Sequence, residues 1–397
     1  MAKTKYKKKK RRDKEYYFYR LYHPLLTSPK DIFGSTVEEL EKKIKKIQDD
    51  LDNGIKGENE RVGIFLEDYI FKIHSIGKKP STMERYESFW RLFIKPHKMM
   101  NMKIRDLTLR DLQAFYNDIA NEISPRTGKP NSLSTIKGIK KIISPAIRYA
   151  YINGLVSKDF GNYITLPDAS SKLSKKNTIK AFTVQEEEIF IEAIRGDENE
   201  SLFLTALFTG MRRGELLALT WDDVNFEKKY IEINKNVRLC FDVTAEGRGK
   251  GHYVVQKPKT ESSIRRVPLD DLLVPILKQQ RIKNKEARLM MAELWEENNL
   301  LFPNTFGRHK DGSRVLKQYK RVLKRIGLEG KYDFHCLRHT FATRCFEQGI
   351  GVKTVSDLLG HSSSAVTLET YTWVLDDLKT EAVNKVSLAF EKSLSAR

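Results

Sequence analysis

The sequence predicts a mainly α-helical chain with small β-sheets, an α+β protein holding more than one core. Three observations predict it. Apolar residues recur at helical spacing, behind capping signals, over residues 60 to 166 and again from residue 183 onward. Segments of strand composition interrupt that pattern only near the N-terminus and between residues 230 and 269. The 397 residues exceed what one core usually holds, and 40% hydrophobic against 31% charged residues is a globular composition.

From the N-terminus, Tyr16 to Tyr22 and Asp31 to Phe33 read as strands, the second ended by Gly34. Ser35 with Glu38 has capping-box spacing, and Val37, Leu40, Ile44, Ile47 and Leu51 repeat at helical spacing up to Gly54. Four helices follow as a bundle: Val62 to Ile76, Ser81 to Ile94 behind a Ser81/Glu84 capping box, Thr108 to Ile123, and Ser134 to Ile152. Pro167 to Lys180, rich in Ser and Lys, reads as an exposed linker. Thr183 with Glu186 then caps a helix, and a second, apolar helix ends near Gly210. Strands are predicted at Tyr230 to Ile233, His252 to Gln256 and Ile264 to Leu269, with a hairpin turn between the last two. Beyond Asp270 the pattern is mostly helical, closing with a stripe of Leu375, Leu378, Ala382, Val386 and Ala389. No repeat period stands out, against a solenoid or propeller.

Charge narrows the function. With 72 Lys and Arg against 52 Asp and Glu the formal charge is +20, and nucleic acid is the commonest polyanion such a surface serves. Lys7, Lys8, Lys9, Lys10, Arg11 and Arg12 form the densest basic run; alone, it reads equally well as a solvated tail or a DNA contact. Lys95, His97, Lys98, Lys103 and Arg105 lie between the second and third bundle helices, and Lys137, Lys140, Lys141 and Arg148 line the last one; either set alone reads as a solvated face, and together they suggest a path for a phosphate backbone. Cys240, Cys336 and Cys345 have neither disulfide-framework nor zinc spacing, and no apolar run could span a bilayer; a cytoplasmic protein is expected.

At Thr209-Gly-Met-Arg-Arg-Gly-Glu215 a glycine turn after an apolar helix delivers an arginine and, three residues later, a glutamate. Taken alone this could be a surface ion pair. In His335-Cys-Leu-Arg-His339 two imidazoles and a guanidinium fall on one helix face at i, i+3 and i+4. Histidines four apart evoke a metal pair, but an arginine between them repels a cation and the general-base glutamate is missing, so an anion suits the site better. Leu358-Leu-Gly-His361 adds a third histidine, and Tyr371 stands ten residues beyond it.

In order and spacing these pieces resemble the tyrosine recombinases and integrases, whose pattern runs T-G-x-R-x-x-E, a hairpin lysine, H-x-x-R, L-G-H and a tyrosine. The resemblance covers residues 183 to 373 and implies that Arg212, Lys259, His335, Arg338, His361 and Tyr371 match the family's catalytic set, with Glu215 buttressing Arg212 and Arg213 left out. Lys257 and Lys250 compete with Lys259; its Pro-Lys-Thr context and the following Arg265-Arg-Val-Pro-Leu269 favour Lys259. More weakly, the resemblance divides the chain into an arm-type DNA-binding domain (1–57, a small β-sheet plus helix), a helical SAM-like core-binding bundle (58–166), a linker (167–182), a mixed α/β catalytic domain (183–373) and a tail helix (374–397). In the family such a tail docks on a neighbouring subunit, though this one could fold back on its own core.

The implied chemistry gives each residue a reason. Two guanidiniums, Arg212 and Arg338, hold the non-bridging oxygens of a phosphodiester with forked, permanently charged donors. Tyr371 must lose a phenolic proton, with a reference pKa of about 10, and His335 is expected to take it. Lys259 protonates the leaving 5′-oxygen, and His361 hydrogen-bonds the phosphate. The product is a 3′-phosphotyrosyl link that conserves bond energy, so no cofactor, ATP or metal is expected. Double-stranded DNA with core and arm sites, a homotetramer on that DNA, an excisionase and a host DNA-bending protein are the expected partners. A monomeric type IB topoisomerase-like relaxase and an inactive DNA-binding regulator are the competing readings.

Overall fold

In the computed structural model of the protein, residues 5–11, 14–24, 29–52, 60–124, 128–166, 180–258 and 263–371 are described, with positions 383, 387 and 390 beyond them. The fold is mainly helical with small sheets, as the sequence predicts. It divides into two compact units, residues 1–174 with 241–250 and residues 175–240 with 251–397. The linker at 167–179, and the residues of the tail stripe, lie outside the described residues.

The first unit opens with an antiparallel sheet of β1 (Lys7–Arg11), β2 (Lys14–Leu21) and β3 (Lys30–Gly34), followed by α1 (Val37–Asp52). β1 is a strand the composition did not announce, because a lysine run has little β-propensity of its own. Its cross-strand partners on the tyrosine-rich β2 hold it: Lys8 lies over the Tyr17 ring at 5.4 Å and Lys9 over Phe18 at 4.9 Å. Directly paired residues share a face, so the register Lys7↔Phe18, Lys9↔Tyr16 and Phe18↔Phe33 collects Lys7, Lys9, Tyr16, Phe18, Arg20 and Phe33 on one side. The other side, with Leu21 and Ile32, packs on Leu40, Ile44 and Leu51 of α1. The cap of α1 is shifted by one residue from the predicted pair: Thr36 Oγ1 accepts the Glu39 N–H, and Glu39 accepts the Ser35 N–H.

The helices of the same unit are α2 (Val62–Asp68), α3 (Pro80–Phe89), α4 (Leu109–Asn121) and α5 (Leu133–Ile152). The first two were read as running on to Ile76 and Ile94; each instead widens into a π-helical turn, Tyr69–Ile73 and Trp90–Ile94. The Ser81/Glu84 capping box is absent, because Pro80 takes the first helical position and Lys79 stands before it without a side-chain cap. Glu84 is buried and accepts the Phe241 N–H, another member of this unit. Thr108 does cap α4, reciprocally with Asp111, and Ser132 caps α5. Trp90, Phe115, Tyr116, Ile139 and Ile143 lie at the centre of this core.

In the second unit, α6 (Val184–Ala193) starts at the predicted Thr183/Glu186 capping box and α7 (Glu200–Thr209) ends at Gly210. The short α8 (Arg213–Leu216) follows. β4 (Val224–Asn225), β5 (Tyr230–Ile233) and β8 (Arg265–Pro268) form one sheet in that order, while β6 (Asn236–Thr244) and β7 (Gly247–Gln256), whose residues 241–250 are counted with the first unit, pair in another. This corrects the predicted hairpin between the strands at His252 and Ile264. They belong to different sheets, because Ile231 and Val267 pair across β5 and β8 and are buried together. The chain then runs through α9 (Leu273–Met291), α10 (Gly312–Arg325), α11 (Cys336–Glu347), α12 (Val352–Leu359) and a last helical stretch, residues 364–371. Phe190, Phe203, Tyr319, Phe334 and Leu337 form the middle of the core that fixes α7 and α11, the two helices on which the candidate site is built.

Candidate active site

Arg212 is placed by a turn that only glycine makes cheaply. Gly210 has φ +61° at the end of α7, and a Cβ there would stand 2.6 Å from the Phe341 ring. The chain then extends at Arg212, which immediately precedes α8. Its backbone N–H and Nη1 both reach Glu215, at 2.9 and 2.8 Å, and its Nη2 donates to the Gly360 carbonyl at 3.1 Å. The neighbouring Arg213 points elsewhere, against Gly312.

Glu215 is 3% exposed and carries a second cation that sequence reasoning passed over. Arg265 of β8 donates to it through Nη2 at 2.9 Å, and through Nε to the Leu358 carbonyl at 2.6 Å. A signal was available: Arg265 shares the inward phase of its strand with Val267, where a charge has to find a partner. Burial pushes the Glu215 carboxyl up, but hydrogen bonding to Arg265 and the charges of Arg265 and Arg212 outweigh it and hold the pKa below the usual value. Glu215→Ala leaves Arg265 buried without its carboxylate, and the expected loss is about 3–5 kcal/mol, read as a lowered denaturation midpoint. With a depressed folded pKa, the stability this carboxylate contributes is present above the ordinary glutamate pKa of about 4.3 and is lost as pH falls through the folded value. Glu215→Gln should therefore flatten the acid side of the stability profile.

The first turn of α11 brings the second group. His335 stands at its N-terminus, with Arg338 and His339 one turn on. Arg338 is 2% exposed; its Nη1 donates to the Gly210 carbonyl at 2.9 Å, whereas its buried Nη2 has no hydrogen-bond partner among the described residues. Burial, then the charge of Arg212, lowers its pKa to about 9, which leaves it a cation at neutral pH. A buried donor of a charged group is costly to leave unmade, so the unused guanidinium edge defines a place for an anion. The rings of His335 and His339 meet edge to face, centroids 4.7 Å apart. Burial chiefly, with Arg338 and Arg212 opposing a further charge, lowers His335.

Gly360, at φ +66°, ends α12 and turns the chain to His361, whose Nδ1 lies 2.7 Å from Thr367 Oγ1. Burial, then Arg338, Arg212 and His335, depress His361 to about 4, so it is neutral near pH 7. Residues 364–371 are helical and carry Tyr371, 1% exposed, against Phe346 of α11. Its hydroxyl lies 2.8 Å from Nδ1 of His339. Here the structure departs from the sequence reading, which gave His335 as the partner of Tyr371. The next turn of α11, at i+4, is the one that faces the helix bearing the tyrosine; the sequence had offered His339 only to a metal pair.

Arg212, His335, Arg338, His361 and Tyr371 thus fall in one neighbourhood of the second unit, with Glu215 behind them. Lys259 lies outside the described residues; Lys257 is exposed in the segment after β7, and Lys250 is in β7 among the residues of the first unit. Arg12 and the Arg11 side chain also lie outside the described residues, while Lys7 to Lys10 are exposed. On α5, Lys137 and Lys141 are exposed, but Lys140 donates to the Ile164 carbonyl at 3.0 Å. Among the described residues no group of three or more His, Cys, Asp or Glu could hold a metal ion, and no helix is long and apolar enough to cross a membrane.

Residues 180–377 match the phage integrase family. A tyrosine recombinase XerC-like protein of Caldanaerobacter subterraneus subsp. tengcongensis is 33% identical over 368 residues, spanning 91% of this chain and 92% of that protein. The chain belongs to the tyrosine recombinase family. The recombinase is accordingly a site-specific DNA breaking and rejoining enzyme. The integrase of Staphylococcus phage L54a is a more distant relative, 25% identical over 86% of this chain and 97% of its own. Among solved structures, the Tn1549 transposon integrase in complex with circular intermediate DNA shares the recombinase's fold, with a TM-score of 0.61 at 22% identity over 78% of this chain and 94% of that one.

Proposed function

We propose that the chain is the integrase of a mobile element, joining and excising that element through a 3′-phosphotyrosyl intermediate and a Holliday junction. In this reading Arg212 and Arg338 hold the scissile phosphate, His335 and His361 line it, Lys259 protonates the leaving 5′-oxygen, and Tyr371 attacks. The observation that supports it most is Arg338, a buried cation with an unused donor edge one residue from the histidine that meets Tyr371. Phosphate oxygens suit that edge, because planar paired donors match them and gain strength away from water.

Around the chemistry, residues 1–57 act as the arm-binding domain, 58–166 as the core-binding domain, 183–373 as the catalytic domain and 374–397 as a tail helix joining subunits of a tetramer. The basic and aromatic sheet face of Lys7, Lys9 and Phe18, where Arg20 is already paired with Asp31, supports the first assignment, since lysines beside an aromatic ring combine phosphate contacts with stacking surface. Lys137 and Lys141 of α5, with Lys140, would follow the backbone at the core site. An excisionase and a host DNA-bending protein complete the assembly, in the cytoplasm of a bacterium.

The test is covalent capture. The full chain, incubated with a random duplex pool and extracted under denaturing conditions, is expected to retain DNA through a bond at Tyr371, located by mass spectrometry of the digested adduct. Adducts at another residue would remove Tyr371 from the mechanism; no adduct would remove the chemistry.

A further inference from the structure

We infer that His339, not His335, is the catalytic base that takes the proton of the Tyr371 hydroxyl during DNA cleavage. The inference rests on Tyr371 being the nucleophile and goes further by naming its proton acceptor. The geometry is direct: Tyr371 Oη and His339 Nδ1 are 2.8 Å apart, and among the described residues no other hydrogen-bond partner stands at that hydroxyl. With the imidazole proton on Nε2, the phenol donates its single hydrogen to Nδ1 and keeps its oxygen lone pairs free for phosphorus. His335 holds no such position. It meets the His339 ring edge to face and has no hydrogen bond to the tyrosine among the described residues.

Position in the chain adds a second argument. His339 follows Arg338 directly in α11, so the proton acceptor and the buried phosphate-binding cation ride on one rigid turn. The groups facing the pair are His335, Asp333 and Arg338 on the histidine's side and Arg338, Cys345 and the Phe346 ring on the tyrosine's side. Burial first, then the charge of His335, hold His339 down to about 4, so the free ring is neutral at neutral pH, with Nδ1 open to the phenol's hydrogen bond but weakly basic until substrate binds. A phosphodiester seated on Arg338 brings a negative charge that offsets the cations around the ring. It thereby raises the basicity of His339 when the substrate is in place.

In the step, the Tyr371 O–H bond breaks and its proton passes to Nδ1 of His339, while the phenolic oxygen forms a bond to phosphorus. The bond from phosphorus to the 5′-oxygen breaks, and that oxygen leaves as a hydroxyl with a proton from the site's acid or from water. In resealing, the 5′-hydroxyl attacks phosphorus and returns its proton to the group or water that supplied it, the bond from phosphorus to the phenolic oxygen breaks, and the departing tyrosinate recovers its proton from His339.

The experiment compares single-turnover cleavage by the full-length chain and its variants on a duplex selected by covalent capture. His339→Asn keeps an acceptor oxygen near the position of Nδ1 but cannot take a proton; His339→Ala removes both. A catalytic base predicts that both variants bind the duplex as the unmodified chain does and lose about 10²- to 10⁴-fold in cleavage rate. Replacing Tyr371 by a difluorotyrosine, whose phenol is more acidic, should restore the His339→Ala rate in larger proportion than it changes the unmodified chain. Cleavage by His339→Asn within threefold of the unmodified rate would overturn the assignment, as would a loss confined to His335→Asn. If the unmodified chain captures no DNA, it is the nucleophile reading that fails instead.

Discussion

Tyr371→Phe is expected to bind DNA undiminished and to form no covalent adduct, a fall on the order of 10⁶-fold by comparison with other enzymes that lose their nucleophile. The size of the effect follows from the geometry. The ring of Tyr371 packs against Phe346 and is 1% exposed, and phenylalanine fills the same space, so the fold should survive. Only the oxygen at 2.8 Å from His339 is lost, and no other hydroxyl stands at that imidazole among the described residues. The measurement is retention of labelled duplex by denatured protein alongside a mobility-shift titration. An adduct from the variant, or weakened binding without a change in adduct yield, would each refute the expectation.

The second large effect is expected at the arginines. Arg338→Lys and Arg212→Lys should each slow cleavage on the order of 10²- to 10³-fold, the usual cost of one preorganised oxyanion donor. Charge is nominally conserved, so the loss comes from geometry: an ammonium cannot both hold the Gly210 carbonyl, as Arg338 does, and present a second, parallel donor to the proposed phosphate. Arg212→Lys has the further consequence of releasing either Glu215 or the Gly360 carbonyl, since a lysine cannot span both. Arg213→Lys serves as the control, because the half-buried Arg213 lies against Gly312 and keeps its charge as lysine, so it should slow cleavage far less than either. Equal losses in all three variants would mean that general destabilisation, not phosphate binding, is being read.

Much of the architecture was legible because it is written in local signals. The Thr183/Glu186 cap, the helix that begins at Thr108, the glycine at the end of α7 and the strand Tyr230–Ile233 lie where spacing and residue type put them. What escaped depends on partners distant in sequence. The lysine-rich β1 exists because β2 offers it a ladder and aromatic faces, and the strands at His252 and Arg265 part company because β5 and β6 claim one each. The same division holds in the site. The family resemblance carried by the motifs singled out Arg212, His335, Arg338, His361 and Tyr371, but which histidine meets the tyrosine depends on how the 364–371 helix docks on α11. Arg265 was hidden for a similar reason, since its carboxylate and its carbonyl come from segments 50 and 93 residues away.

The burial of Tyr371 joins two properties that most enzymes keep apart. The ring sits in a small cluster with Ala342, Cys345, Phe346, Val355 and Leu359, so the hydroxyl proposed to attack DNA is attached to a side chain that also seals part of the hydrophobic interior. Drift at those apolar positions cannot be neutral for reactivity: a cavity or an extra methylene there re-aims the phenol before it unfolds anything. Selection for activity therefore extends to residues that never meet the substrate, and variation in cleavage rate among natural variants should trace as often to these greasy neighbours as to the polar groups around the phosphate.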